Sequence, residues 1–124
     1  MKRSIVTTGD GSKTIQIEDW DEQYHSIHGA IQEAQHVFIK MGLHHFLNLH
    51  KPTGLGILEI GFGTGLNAFV TALEAQTHTI QIQYEGLEAY PVQAEELLQL
   101  NYTSLLAKDE HSVFDTLHQV SWED

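Results

Sequence analysis

Ile57-Leu58-Glu59-Ile60, a short apolar run, leads directly into Gly61-Phe62-Gly63-Thr64-Gly65, and an amphipathic stretch follows without a break. Glycines at alternate positions permit the positive φ angles of a sharp turn. Leu66, Phe69, Val70 and Leu73 recur at the i, i+3, i+4, i+7 spacing of a helix that packs one face on a sheet. The reading is therefore strand over Gly56 to Ile60, glycine turn, helix. From Thr77 to Tyr84, Ile80 and Ile82 alternate with Gln81 and Gln83 as in a second strand. Pro91, whose fixed φ suits a first helical turn, opens a further helix with Ala94, Leu97 and Leu98 as its buried stripe. Asp109 to His118 predicts a last, weaker helix. Strand, helix, strand, helix in this order implies parallel βαβ construction and an α/β fold.

Upstream of the turn the pattern changes. Residues 4 to 8 and 13 to 18 are β-prone and flank Gly9-Asp10-Gly11, which predicts a hairpin. Glu18 to Tyr24 has no clean period and reads as loop. Ile31, Ala34, Phe38 and Met41 predict a helix over Ala30 to Met41, stopped at Gly42. A short helical piece over His44 to Leu49 ends at Pro52-Thr53-Gly54. The expected organisation is an amino-terminal β-hairpin and helical extension over 1–55, then the first βαβα part of a core over 56–124.

A glycine turn between strand and helix has a chemical use, because ligands approach a backbone without Cβ atoms and meet the free N–H groups of the new helix. Dinucleotide sites place glycine at the first, third and sixth positions, here Gly61, Gly63 and Leu66. The leucine breaks that pattern, whereas Gly65 fits the turn used for S-adenosyl-L-methionine. NAD, in an oxidoreductase, is the alternative ligand. Glu88, beyond the second strand, is placed to accept the two ribose hydroxyls, with Glu85 as an alternative acceptor. Glu59 serves either the methionyl amino group or the turn itself.

Three stretches carry a family resemblance: Tyr24 through Ile39, Leu58-Glu59-Ile60-Gly61-Phe62-Gly63-Thr64-Gly65-Leu66-Asn67, and Gly86-Leu87-Glu88-Ala89-Tyr90-Pro91. In these the chain resembles the tRNA wobble-uridine methyltransferases acting on 5-aminomethyl-2-thiouridine, of the MnmD type and the amino-terminal half of MnmC. The resemblance implies a class I, Rossmann-like methyltransferase fold and methyl transfer from S-adenosylmethionine to the exocyclic amine of a modified uridine. It implies that Gly61, Phe62, Gly63, Thr64, Gly65 and Asn67 line the cofactor and that Glu88 and Ala89 meet its ribose. It also implies that Tyr24, Ser26 and Glu33 belong to a stretch closing over the methionyl end. The family's later Asp-rich strand and its Asp-x-Phe-x-Pro motif do not appear. Such a core needs roughly 150 residues, about twice the length of the segment from Ile57 to Asp124. The expectation is a truncated fold lacking its C-terminal strands, inactive alone, with the amine-positioning acid and the tRNA surface in the absent half. A homodimer or swapped oligomer would then cover the open sheet edge.

Composition narrows the alternatives. Six Lys and Arg against seventeen Asp and Glu give a net charge of −11, opposite to the charge a phosphate-binding surface needs. The absence of cysteine removes thiolate metal sites and thiol nucleophiles. Nine histidines, including His25 and His28, and His44 and His45, match no zinc spacing, so no metal is expected. No serine sits in a nucleophile elbow, which argues against a hydrolase. Trp20 and Trp122 read as core or interface anchors rather than base-stacking platforms. No run approaches the ~18 apolar residues of a membrane span, and Met1 to Thr8 turns polar too soon for a signal peptide, so a cytoplasmic location is expected. A non-catalytic oligomeric module using the turn structurally is the third alternative.

Overall fold

The structure, a computed structural model, describes residues 2–123. Met1 and Asp124, the outer limits of the two expected segments, lie outside the described residues. Strands β1 (Arg3–Thr7) and β2 (Lys13–Ile17) pair antiparallel, Ile5 opposite Ile15, and form the expected hairpin. The predicted loop from Glu18 to Tyr24 is more ordered than its sequence suggests. A 3-10 turn over Glu18–Trp20 ends at Asp21 in a left-handed conformation (φ 49°), and β3 (Glu22–Gln23) returns against β2. Gln16 donates to the Asp21 carboxylate across that return at 3.0 Å.

The hairpin's tip caps the next helix. The Ala30 N–H donates to Thr8 Oγ1, the Ile31 N–H to Ser12 Oγ and the Gln32 N–H to Asp10 Oδ2, so three otherwise unpartnered amides of the first turn are satisfied from a distant loop. Asp10 also accepts from Ser12 and Thr8. Burial alone would raise its carboxyl, but these hydrogen bonds hold it below the usual carboxylate range.

Helix α1 (Ala30–Glu33) passes into a π-helical stretch over Ala34–His44 and then α2 (His45–His50). Gly42 therefore does not stop the helix. The stop lies at Lys51, left-handed at φ 45° with its N–H on Leu47 O, followed by Pro52. The wider i→i+5 winding also shifts the buried face from the expected stripe. Ala34, Ile39 and Leu43 are buried at spacings of five and four, while Met41 is 60% exposed and Phe38 only partly covered.

Strand β4 (Gly54–Ile60), helix α3 (Leu66–His78) and strand β5 (Gln81–Leu87) form a βαβ unit, with β4 and β5 parallel and Ile60 opposite Leu87. The second strand starts later than predicted because α3 runs on to His78. It ends only at Thr79, left-handed at φ 54° with its N–H on Ala75 O. Leu66, Phe69 and Val70 of α3 enter the core with Tyr102 and Phe114, and Leu55, Ile57 and Leu73 pack against them. The opposite sheet face is bare, with Leu58, Ile60 and Leu87 at 60%, 74% and 55% exposure.

The helix expected after Pro91 is a single turn, α4 (Ala94–Leu97), begun by a capping box in which the Gln93 N–H donates to Glu96. Arg3 pins this segment by hydrogen bonds to Tyr90 O and Pro91 O and an ion pair with Glu96 at 2.7 Å. In consequence Ala94 is exposed and Leu98 is 86% exposed, so the predicted buried stripe is absent. Helix α5 (Tyr102–Leu106), which the periodicity did not signal, and α6 (His111–Gln119) close the core against α3. The overall architecture is α/β, with one antiparallel and one parallel sheet. Among the described residues no helix is long and apolar enough to cross a membrane.

Candidate functional site

The glycine turn lies at the carboxyl ends of the two parallel strands, where ligands of open α/β sheets bind. Gly61, Gly63 and Gly65 all have positive φ, at 84°, 59° and 78°. Conformation alone therefore strains any side chain here; at Gly65 a Cβ would also come within 2.7 Å of His118 Nε2, displacing it, and at Gly63 within 3.1 Å of the Tyr24 ring, a tight contact. The Gly61 and Phe62 N–H groups both donate to Leu87 O, tying the turn to the end of β5. Phe62 folds over Gly86, where a Cβ would meet its ring at 2.5 Å, and meets His118 and Trp122 edge to face.

Glu88 stands on the far side of the turn. Its Oε1 accepts the Gly63 N–H at 2.7 Å and its Oε2 the Tyr90 N–H at 3.1 Å. Each oxygen keeps a further lone pair for another donor. Glu59, buried at the end of β4, accepts from Asn67 Nδ2 and from the Tyr84 hydroxyl, both at 2.8 Å. Burial pushes the Glu59 carboxyl up, these two hydrogen bonds pull it back, and the nearby Glu88 charge adds to the rise. The Tyr84 phenol is driven upward by burial and by the Glu59 charge, so it stays a donor.

Between the turn and the amino-terminal sheet is a cavity of about 300 Å³ lined by Tyr24, Glu33, Glu59, Gly61, Phe62, Gly63, Asn67 and Glu88. Four further residues complete the lining, namely Ile17, Trp20, His25 and Tyr90. Sequence reasoning places the first eight among its candidates and misses the other four. Trp20, expected in a core or interface, is 61% exposed because the 3-10 turn carries it to the cavity rim. Tyr90 follows Glu88 by two residues and is within reach of the same argument.

Ser26, Thr64, Gly65 and Ala89, also singled out from the sequence, do not line the cavity. Thr64 is fully buried and faces inward, its hydroxyl accepting from Tyr102 and its carbonyl hydrogen-bonded to His118. Gly65 is buried at the start of α3, and Ala89 faces solvent. Ser26 touches the site through its backbone, its N–H donating to Glu33 Oε2 at 3.1 Å. Leu66, at the position a dinucleotide turn gives to glycine, is fully buried in the core.

His25 shares a hydrogen bond with the Thr14 hydroxyl at 2.7 Å and meets Tyr102 edge to face. Burial pushes its imidazole down to about 4, so it is neutral at pH 7. An unfolded histidine titrates near ~6.5, so the unfolded chain binds the extra proton first as pH falls. The His25 contribution is thus fully present above about pH 6.5 and is lost progressively toward pH 4, a change of about 3 kcal/mol. Urea denaturation across that window should show the loss in the parent and a clearly shallower slope in His25→Gln. His118, also lowered by burial, adds to the slope in both proteins. Equal slopes in the two proteins would refute the assignment.

An α/β unit with a glycine turn at the ends of a parallel strand pair, faced by an acid from the second strand's end, is the class that the fold and cavity define. The chain is related to a region of the MnmC proteins. It is 32% identical over 84 residues to the "tRNA 5-methylaminomethyl-2-thiouridine biosynthesis bifunctional protein MnmC" of Leptospira interrogans, and 37% identical over 83 residues to the protein of that name from Acidovorax sp.. Each match covers 64% of this chain and 13% of the relative, so the chain spans a small part of these proteins' length. The crystal structure of MNMC2 from Aquifex aeolicus superposes with a TM-score of 0.73 over 99% of this chain and 39% of that one, at 22% identity, which establishes a shared fold. No protein-family model matches the chain.

Proposed function

We propose that the cavity binds S-adenosyl-L-methionine, and that the chain is the cofactor-binding portion of a class I, Rossmann-like methyltransferase. The observation that carries this reading is the cavity's charge: Glu33, Glu59 and Glu88 line it, and among the described residues no Lys or Arg does, Arg3 behind Tyr24 and Tyr90 being paired with Glu96. Three carboxylates suit a ligand with a sulfonium, an ammonium and ribose hydroxyls, and repel the pyrophosphate of NAD. In this reading Glu88 accepts the ribose hydroxyls with the lone pairs that Gly63 and Tyr90 leave free. Glu59, held by Asn67 and Tyr84, faces the methionyl ammonium, and Tyr24 with Glu33 closes that end.

The MnmC relatives are named for tRNA 5-methylaminomethyl-2-thiouridine biosynthesis, which supports a tRNA-modifying role; in this reading the enzyme is cytoplasmic and methylates the aminomethyl group of a modified wobble uridine. Methyl transfer requires mainly that a neutral amine be aligned with the activated methyl group. No residue of this chain is assigned the catalytic role. With a net charge of −11, tRNA contact falls in this reading to the regions of the relatives that the chain does not span. In this reading 1–55 is the amino-terminal β-hairpin and helical extension and 56–124 the first βαβα part of the core, with β4 starting two residues earlier, at Gly54. The bare face and edges of β4 and β5 support a homodimer or swapped oligomer, because parallel sheets ordinarily have both faces covered.

Calorimetric titration with S-adenosylhomocysteine beside NAD tests the ligand. Saturable binding of the first alone is expected; binding of NAD alone would overturn the reading.

A further inference from the structure

His44, Glu74 and His78 meet at the carboxyl end of α3, whereas the cavity lies at its amino end. Glu74 and His78 are one turn apart on α3, and His44 comes from the end of the π-helical stretch, thirty residues earlier in the chain. His44 Nε2 and His78 Nε2 lie 2.8 Å and 2.9 Å from the same carboxylate oxygen, Glu74 Oε2. The two imidazoles approach edge to face with centroids 5.5 Å apart. One donor atom from each residue falls within 4.8 Å of the other two. That is the span of ligands gathered round one ion, since metal bonds to imidazole nitrogen and carboxylate oxygen are about 2.0–2.2 Å long.

We propose that His44, Glu74 and His78 form a binding site for a divalent transition-metal ion, zinc above all, which clips the π-helical stretch to α3. Two imidazoles and one carboxylate favour zinc, nickel or copper over calcium and magnesium, which prefer oxygen. All three side chains keep access to water, with exposures of 38%, 29% and 47%, so an ion can enter and retain water in the remaining positions. His78 is the last residue of α3, and a cation there is favoured by the carbonyls at the helix end. Without the ion, the same residues form a hydrogen-bonded triplet. On binding, each imidazole carries its proton on Nδ1, any second proton is released to water, and Nε2 donates its lone pair to the ion.

The site is structural. It lies about 10–16 Å along α3 from Asn67 and shares no residue with the cavity lining. His45, the neighbour of His44, is exposed and outside the cluster. The chain has nine histidines, so zinc binding by itself proves little.

Calorimetric titration of the full chain with Zn²⁺ should give one saturable site and a higher melting temperature. His44→Ala and His78→Ala should each weaken that site by about tenfold or more, while His45→Ala and Glu88→Ala leave it unchanged. Circular dichroism establishes that the variants fold. Should either variant prove unfolded, Co²⁺ added to the parent protein gives an independent answer, its visible spectrum reporting nitrogen and oxygen ligation at low coordination number. Absence of a saturable site, undiminished affinity in both His→Ala variants, or a Co²⁺ spectrum like that of the aqueous ion would overturn the proposal.

Discussion

Phe69→Ala is expected to cost about 3–5 kcal/mol, a large part of the ~5–15 kcal/mol that holds a domain of this size together. Phe69 is fully buried on α3 and meets Phe114 of α6 edge to face at 5.4 Å; Phe114 in turn meets Tyr102 of α5 at 6.0 Å. These rings join three helices, and the Tyr102 hydroxyl extends the contact to Thr64 in the glycine turn. Removing the fully buried Phe69 ring leaves a cavity beside Phe114 that the neighbouring helices cannot collapse to fill. Urea denaturation measures the effect, with Leu98→Ala as the control, since Leu98 is 86% exposed and its loss should stay within about 0.5 kcal/mol. Similar losses in the two variants would mean that the packing has been misassigned.

Glu88→Ala should weaken S-adenosylhomocysteine binding by about a hundredfold. Hydrogen bonds to a charged group contribute ~1.5–3 kcal/mol each, and loss of two ribose contacts is of that order or more. The same substitution frees the Gly63 and Tyr90 N–H groups to meet water, so its stability cost should be near ~1 kcal/mol. Calorimetry on folded variant separates the two effects. Unchanged affinity would remove Glu88 from the ribose-binding role.

The parts of the fold that are legible in the sequence are those governed by local rules. The positive φ angles of Gly61, Gly63 and Gly65 demand glycine, and the Leu66, Phe69, Val70 face comes from helical period. The hairpin shows itself by β-prone residues either side of Gly9-Asp10-Gly11. The hidden parts depend on long-range contacts. The shift of the buried face to Ile39 and Leu43 comes from π winding, which a period of 3.6 cannot display. The short α4 answers to Arg3, more than ninety residues away, holding Glu96 and two carbonyls. Within the cavity, Glu59, Glu88 and the turn are legible because they share one βαβ unit. Trp20 and His25 are not, because they reach it from the amino-terminal sheet by tertiary packing. The same limit hides the His44, Glu74 and His78 cluster, whose members come together only when two helical segments pack.

Amide chemical shifts recorded while S-adenosylhomocysteine is added test whether S-adenosylmethionine occupies the cavity at the glycine turn. Saturable shifts are expected at Gly61, Gly63, Asn67, Glu88 and Tyr90, with His44 and His78 unmoved. Saturable shifts confined to other surfaces, or none in folded protein at millimolar ligand, would contradict that occupancy.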